Sequence, residues 1–390
     1  MTMSEIAIYT LTSPLHDEQA VAAVTQEFLN SLQIEYDFRG EDFSDFGSHT
    51  LDLIYVRTGG TEGLFLRRLP ALLAQSRRPF RLLTSGKSNS LAASMEILSF
   101  LHLQGLEGEI LHGSDTYIRE RATILVQAEA ARNRLRGQRL GIIGAPSDWL
   151  ISSHVQPSLV RDRLGVELIA LPIEELIAEV GDIKGMSAQN GADMIYTALK
   201  AFVQRYDLQG FTIRCFDLLS AVHNTGCLAL ARLNAEGIVA GCEGDVPALL
   251  SMAVAQAVAG VSGFQANPAN INPETGELLF AHCTIPLNMV ERYEFDTHFE
   301  SGIGVGIRGF MRPGPVTIFK LSPDLSRQFI AEGQLVRNQS KPDLCRTQQI
   351  IQLSEPRQAR YFLTNPIGNH HIIIPGHWRA LLEELGIVNS

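Results

Sequence analysis

The sequence predicts an α/β protein with two Rossmann-like parallel-sheet domains followed by a β-rich C-terminal domain. Three observations predict it. Short apolar runs alternate with helical stretches through the first two thirds of the chain. Beyond residue 265 or so, helical periodicity gives way to closely spaced strand-like runs. With 390 residues, 45% of them apolar, there is enough buried surface for two or three cores.

Taken in order, Ile6-Ala-Ile-Tyr9, Leu53-Ile-Tyr-Val56 and Phe80-Arg-Leu-Leu83 read as strands, separated by helical stretches over 17–32 and 89–103. This alternation argues for parallel strands with crossover helices in a first domain, 1–135. A charged helical connector over 127–138 closes it. The second domain, 136–265, repeats the pattern with strands at 139–143, 166–170 and 210–214, then a short apolar run, Ile238-Val-Ala-Gly-Cys242. That run leads into Glu243-Gly-Asp245 and an Ala-rich helix over 246–259, with Asp245 placed as N-cap, Pro247 in the first turn and Gly260 at the end. The third domain, 266–390, carries strand-like runs at 278–284, 316–321, 334–338, 347–353 and 371–374, and a final helix over 378–385.

Composition excludes several classes. A net charge of -10 repels a phosphate backbone, and no Lys/Arg stripe with interleaved aromatics overcomes that, so no nucleic acid is expected as partner. The start lacks a basic segment followed by a long apolar one, and no stretch approaches the length of a membrane span; a cytoplasmic protein with no membrane attachment is expected. Five cysteines, an odd number without a CxxC pair, signal neither a disulfide frame nor a structural zinc site, and are expected to be reduced and mostly buried.

Some motifs mislead. Gly302-Ile-Gly-Val-Gly-Ile-Arg-Gly309 contains a GxGxxG, but the following Phe-Met-Arg-Pro313-Gly-Pro315 cannot form the helix a dinucleotide site requires. Thr84-Ser-Gly-Lys-Ser-Asn-Ser90 carries the GKS of a phosphate loop without its first glycine, and reads as a turn capped by Asn89 or Ser90. Gly59-Gly-Thr-Glu-Gly63 reads as a plain turn, and no GxSxG elbow is present.

What remains is a carboxylate pair at a strand-to-helix junction, where chemistry in open α/β sheets sits, and three histidine-bearing segments: Ala281-His-Cys283, His298-Phe-Glu300 and Gly368-Asn-His-His371. Each taken alone has a structural reading, Asp245 as a cap and a lone histidine as a hydrogen-bonded core residue. Together, a glutamate and separated histidines make a ligand set for an octahedral divalent cation such as Mn²⁺, with substrate oxygens in the open positions. Such an ion stabilises an enediolate while a carboxylate moves a proton between adjacent carbons.

The order Glu243, Ala266-Asn-Pro268, Ala281-His-Cys283, Gly368-Asn-His-His371 resembles the L-fucose isomerase and L-arabinose isomerase superfamily of aldose–ketose isomerases, best over residues 210–375. Asn89-Ser-Leu-Ala-Ala-Ser-Met-Glu96 and Gly144-Ala-Pro-Ser-Asp-Trp-Leu150 are similar more faintly. The resemblance implies two α/β domains before a β-rich one and an intramolecular oxidoreductase that isomerises a small-molecule sugar on Mn²⁺ or another divalent cation. It places the metal ligands on Glu243, Asn267, His282 and His370, or the neighbouring His371. The family has a second carboxylate where this chain has Asn267. Glu243, Asp245 and Asn267 are therefore the catalytic candidates, and His298, Glu300, Arg346, Asn369 and His371 the substrate-binding ones. Assembly as a homotrimer or homohexamer is implied. The alternative is a catalytically altered or non-catalytic sugar-binding protein on the same scaffold.

Overall fold

Apolar runs of four to six residues, buried on both faces, set the first sheet of the computed structural model, which describes residues 4–388. Strands β1 (Ile6–Leu11), β2 (Asp37–Gly40), β3 (Leu51–Val56), β4 (Phe80–Leu83) and β5 (Gly108–Leu111) form a parallel sheet in the order β2-β1-β3-β4-β5. Helices α1 (Glu18–Leu32), α2 (Glu62–Gln75) and α3 (Ser90–Leu103) supply its crossovers, and α4 (Asp115–Leu135), which follows β5, packs on it through Ile118, Ala122 and Leu125. One face packs Ala7, Tyr9, Ile54 and Leu82 with Phe65, Leu69 and Ile97; the other packs Ile8, Leu53 and Leu83 with Leu29, Ile118 and Leu125. Fully covered parallel strands are what continuous apolar runs require. Asp17 caps α1 by accepting from the Ala20 amide, and the segment before α3 is a turn with Asn89 at the N-cap position, as expected.

The chain divides into two compact units, Met1–Ala130 and Ala131–Ser390. In the second, β6 (Arg139–Ile143), β7 (Glu167–Leu171), β8 (Gly210–Ile213) and β9 (Val239–Gly241) form a parallel sheet in the order β7-β6-β8-β9. Its helices are α5 (Pro157–Leu164), α6 (Ile173–Val180), α7 (Ala188–Arg205), α8 (Cys215–Val222), α9 (Cys227–Ala235) and α10 (Val246–Ala259). The same unit contains an antiparallel β structure that closes on itself. Strands β10 (Phe264–Ile271), β11 (Glu277–His282), β14 (Gly314–Leu321), β15 (Gln328–Gln339), β16 (Thr347–Leu353) and β17 (His371–Pro375) form a barrel in the order β10-β11-β16-β15-β14-β17, while β12 (Arg292–Asp296) and β13 (Gly306–Phe310) pair beside it. Closure leaves no free edge. Phe264, Phe280, Ile318, Ala331, Ile351 and Ile373 fill the core.

The α/β architecture with a β-rich C-terminal part is as the sequence predicts. Strand β10 is an addition to the strand-like runs read from the sequence, and it passes through Asn267-Pro268 with a bulge between Pro268 and Asn270. The motif at 302–309 enters β13, not a helix. No helix among the described residues is long and apolar enough to cross a membrane.

Candidate metal centre

Glu243 and Gly244 both take left-handed backbone conformations, with φ of 63° and 69°. A Cβ on Gly244 would meet the Ala145 carbonyl oxygen at 2.3 Å, so that position needs glycine. Glu243 has no such exemption and carries backbone strain, the kind of outlier found at functional sites. Three contacts hold it there. The Ser147 amide donates to the Glu243 carbonyl at 3.0 Å. Gln265, on β10, brackets Cys242: its Oε1 accepts from the Cys242 amide at 2.9 Å and its Nε2 donates to the Cys242 carbonyl at 3.3 Å.

The barrel brings the other groups to the same place. Strand β10 lies between β11 and β17, with Asn267 opposite Ala281 and Ala266 opposite His371. His282, which ends β11, and His370, which precedes β17, therefore flank Asn267 at one rim. Oε1 of Glu243 is 3.7 Å from Nε2 of His282 and 3.6 Å from Nε2 of His370. One ligand atom from each of the three residues lies within 4.8 Å of the other two. Distances of 3.6 to 3.7 Å are too long for hydrogen bonds. They suit a shared ion, since two donors each about 2.1 Å from one ion lie at most about 4.2 Å apart.

Both imidazoles are held from behind. Nδ1 of His282 bonds the Thr284 hydroxyl at 3.0 Å. Nδ1 of His370 bonds Oδ2 of Asp245 at 2.8 Å, the carboxylate–histidine pairing that orients a metal ligand. Asp245 is also the predicted cap, accepting from the Ala248 amide at 2.8 Å, and its Oδ1 lies 3.5 Å from the buried Lys320 ammonium. Nε2 of His370 is left buried without a partner, as is Oδ1 of Asn267. Unpaired buried polar atoms are costly; Nε2 of His370 lies 3.6 Å from Oε1 of Glu243, across the position an ion would fill, and Asn267 lines the cavity beside it. The donor set thus fits a divalent cation.

Electrostatics agree. Burial raises the Glu243 pKa, but the two facing imidazoles more than offset it and hold the carboxylate well below its usual range. Burial likewise opposes ionisation of Asp245, yet Lys320 and His370 bring it down to about 2. Burial lowers the His370 pKa, while Asp245 and Glu243 win and push it up to about 9. In the metal-free protein a proton on His370 stands where the cation's charge would be.

Beside this centre lies a cavity of about 30 Å³, room for an ion and a water. Glu243, Asn267, His282, His298 and Glu300 line it. So do Cys215, Cys227, Cys242, Cys283 and Cys345, the chain's full complement, all free thiols as expected. Sγ of Cys215 and of Cys242 are 3.3 Å apart.

The remaining candidates separate. His298 is oriented by Ser301, 2.9 Å from its Nδ1, and burial lowers its pKa. Arg346 instead donates to the Thr297 carbonyl at 2.7 Å and so supports the segment that carries His298. Asn369 is exposed, and its carbonyl accepts from Nδ1 of His371. Inside the barrel, His371 spends its other nitrogen on the Tyr361 hydroxyl at 3.0 Å, among Phe280, Phe329 and Phe362. His371 is thus fully buried with both nitrogens engaged, and it is not among the residues lining the cavity. Asp245 is off the cavity wall as well, with 1% exposure. Sequence reasoning missed Trp149, whose Nε1 donates to Oε2 of Glu243 at 2.7 Å. The faint similarity over 144–150 was the available signal.

A two-sheet α/β protein with a six-stranded barrel and a Glu–His–His centre is thus defined. No known family profile matches the chain. Among curated proteins it is similar to sulfoquinovose isomerases. It is 20% identical to that of Alkalicoccus urumqiensis over 245 residues, 56% of this chain and 55% of that protein. It is 22% identical to that of Priestia megaterium over 244 residues, 55% of each. The chain spans about half the length of these relatives.

Proposed function

We propose that this protein is a divalent-metal-dependent aldose–ketose isomerase, L-fucose isomerase-like, acting on an open-chain sugar by proton transfer through an enediolate. The observation that carries the reading is the convergence of Glu243, His282 and His370, from three distant stretches of chain, with the buried Nε2 of His370 unpartnered. The sulfoquinovose isomerase relatives support the reaction class.

Glu243, His282 and His370 would hold the ion, Mn²⁺ in the first instance, with Asn267 Oδ1 as a neutral fourth donor. A bound cation supplies polarisation of the sugar carbonyl and stabilisation of negative charge on the adjacent oxygens. Asp245 fixes the His370 tautomer so that Nε2 faces the site. Trp149 holds the second Glu243 oxygen. With both Asp245 oxygens engaged, Glu300 is the carboxylate on the cavity wall able to carry a proton between carbons, and His298, kept neutral by burial, is the other acceptor. At about 30 Å³ the cavity takes an ion and a water but not a whole sugar, so its lining does not choose between neutral and sulfonated sugars, and both are substrates to test.

Isothermal titration of Mn²⁺ into the metal-stripped protein and into Glu243→Gln tests the centre; equal, negligible binding by both removes the metal from the account. Incubation with aldoses and ketoses, L-fucose and sulfoquinovose among them, in deuterated water tests the reaction by deuterium at the second carbon. Glu300→Gln is expected to lose exchange while keeping Mn²⁺. Asn267 at the family's second carboxylate position favours a second reading, a sugar-binding protein without turnover, which predicts a sugar-induced thermal shift and no exchange. Self-association as a homotrimer or homohexamer is part of the proposal and is read by light scattering.

A further inference from the structure

All five cysteines of the chain border the cavity beside the metal centre, and the sulfurs of two of them are in contact. Strands β8 and β9 are parallel neighbours, with Thr212 level with Gly241, so the segments that follow them emerge side by side at their carboxyl ends. Cys215 opens α8 there, Cys242 directly follows β9, and their Sγ atoms lie 3.3 Å apart. A disulfide needs about 2.0 Å, so roughly 1.3 Å of approach separates this pair from a bond. The two thiols differ in access. Cys215 is half-buried on the cavity wall, whereas Cys242 is only 4% exposed. A reachable thiol touching a shielded one is the arrangement in which an oxidant modifies the first and the second resolves it.

Closure of that bond reaches the metal ligands by either route. Cys242 immediately precedes Glu243, and its backbone is braced by Gln265 and by the Thr212 hydroxyl, which donates to the Cys242 carbonyl at 3.3 Å. Drawing its sulfur toward Cys215 pulls on those braces and on a residue already strained at a φ of 63°. If α8 yields instead, Phe216 moves with Cys215. Its ring meets Trp149 edge-on, with centroids 4.9 Å apart, and Trp149 holds Oε2 of Glu243. Both routes end at the Glu243 carboxylate.

We propose that Cys215 and Cys242 are a modification site, a thiol pair that peroxide closes to a reversible disulfide and that thereby weakens divalent-cation binding at Glu243. The bond itself is independent of the metal-centre reading; the weakening rests on it. Hydrogen peroxide converts the Cys215 thiol to a sulfenic acid, its O–O bond breaking and one water leaving. The Cys242 sulfur then displaces the hydroxyl, the S–S bond forms, and the Cys242 proton departs in a second water. Two electrons pass in all from the two sulfurs to the two peroxide oxygens.

The test treats the full, metal-stripped chain with hydrogen peroxide, removes the oxidant, and divides the sample between peptide mapping with fragmentation and Mn²⁺ titration before and after dithiothreitol. The same is done with Cys215→Ser and Cys345→Ser. Expected are a loss of two hydrogens per chain, a bridge mapped between Cys215 and Cys242, and Mn²⁺ binding that weakens about ten-fold and is restored by dithiothreitol. Cys215→Ser should form no bridge and its Mn²⁺ affinity should ignore peroxide, while Cys345→Ser should still form the bridge. No bridge, a bridge between other cysteines, or oxidation of Cys215 beyond the sulfenic acid would overturn the thiol pair. Unchanged Mn²⁺ affinity in the bridged protein would overturn its coupling to the centre. A reduced protein that binds no Mn²⁺ sinks the metal-centre reading and the coupling with it, while the mapped bridge still decides the thiol pair.

Discussion

His370 and His371 are neighbours in the chain and opposites in the structure. His370 faces the rim, one nitrogen held by Asp245 and the other unspent. His371 faces the barrel interior, both nitrogens spent on Tyr361 and the Asn369 carbonyl. Both are fully buried, yet acidic neighbours push the first pKa up to about 9 while burial takes the second down to about 3. Burial alone therefore does not mark a functional histidine. What distinguishes the two is an unpaired polar atom directed at other ligand atoms, which a self-sufficient core does not tolerate.

The largest expected effect breaks this comparison in half. His370→Ala should weaken Mn²⁺ binding by more than about 100-fold, beyond the usual cost of losing an outer hydrogen-bond partner. His371→Ala should leave Mn²⁺ affinity within a few-fold while costing about 3 kcal/mol of stability, from the lost packing and the stranded Tyr361 hydroxyl. Metal titration and denaturant unfolding on both variants check the pair; a His371→Ala protein that folds normally and loses metal reverses the assignment.

The two rings also respond to pH with opposite signs. His371 has a folded pKa below its unfolded value of 6.5, so its contribution is complete above pH 6.5 and is lost as pH falls toward 3, when the unfolded chain takes up a proton that the folded one refuses. By pH 5 that amounts to about 2 kcal/mol, and His371→Gln should flatten this limb of the stability profile. His370 has a folded pKa above 6.5, so in the metal-free protein its contribution is present below pH 6.5 and is lost as pH rises through about 9. The same proton competes with the ion, so Mn²⁺ affinity should climb with pH and level off near 9. Asp245→Asn tests the support. Asparagine still caps α10 but brings no charge to His370, and Mn²⁺ should bind about ten-fold more weakly; the unfolding midpoint should fall as well, because the buried Lys320 ammonium loses its counter-charge.

Much of this was legible in the chain. Continuous apolar runs announced the parallel strands, and Asp245, Pro247 and Gly260 bounded α10 as it stands. Glu243, His282 and His370 were identifiable by residue type and by resemblance. Their convergence was not, because it depends on β10, whose Asn-Pro step hides a strand from period-two reading. Nor could spacing decide between His370 and His371, since that choice is set by where β17 begins. The clustering of five cysteines and the Trp149 bond are likewise tertiary facts with only faint local signals.

Asn267 sharpens the comparison last, because it is the one rim group that resembles the interior in carrying no charge. Its Oδ1 is buried and unpartnered, and the residue lines the cavity with Glu243 and His282. Asn267→Asp places a negative charge there without changing the side chain's shape. In the metal-free protein that charge faces Glu243 and is partly neutralised by the proton on His370, so stability should fall by about 1 kcal/mol. With an ion present the sign reverses: a charged oxygen ligand replaces a neutral one, and Mn²⁺ affinity should rise about five-fold. A larger thermal stabilisation by Mn²⁺ in Asn267→Asp than in the parent chain is the readout. An unchanged shift would mean that this oxygen lies outside the ion's reach, leaving three protein ligands and more open positions for substrate.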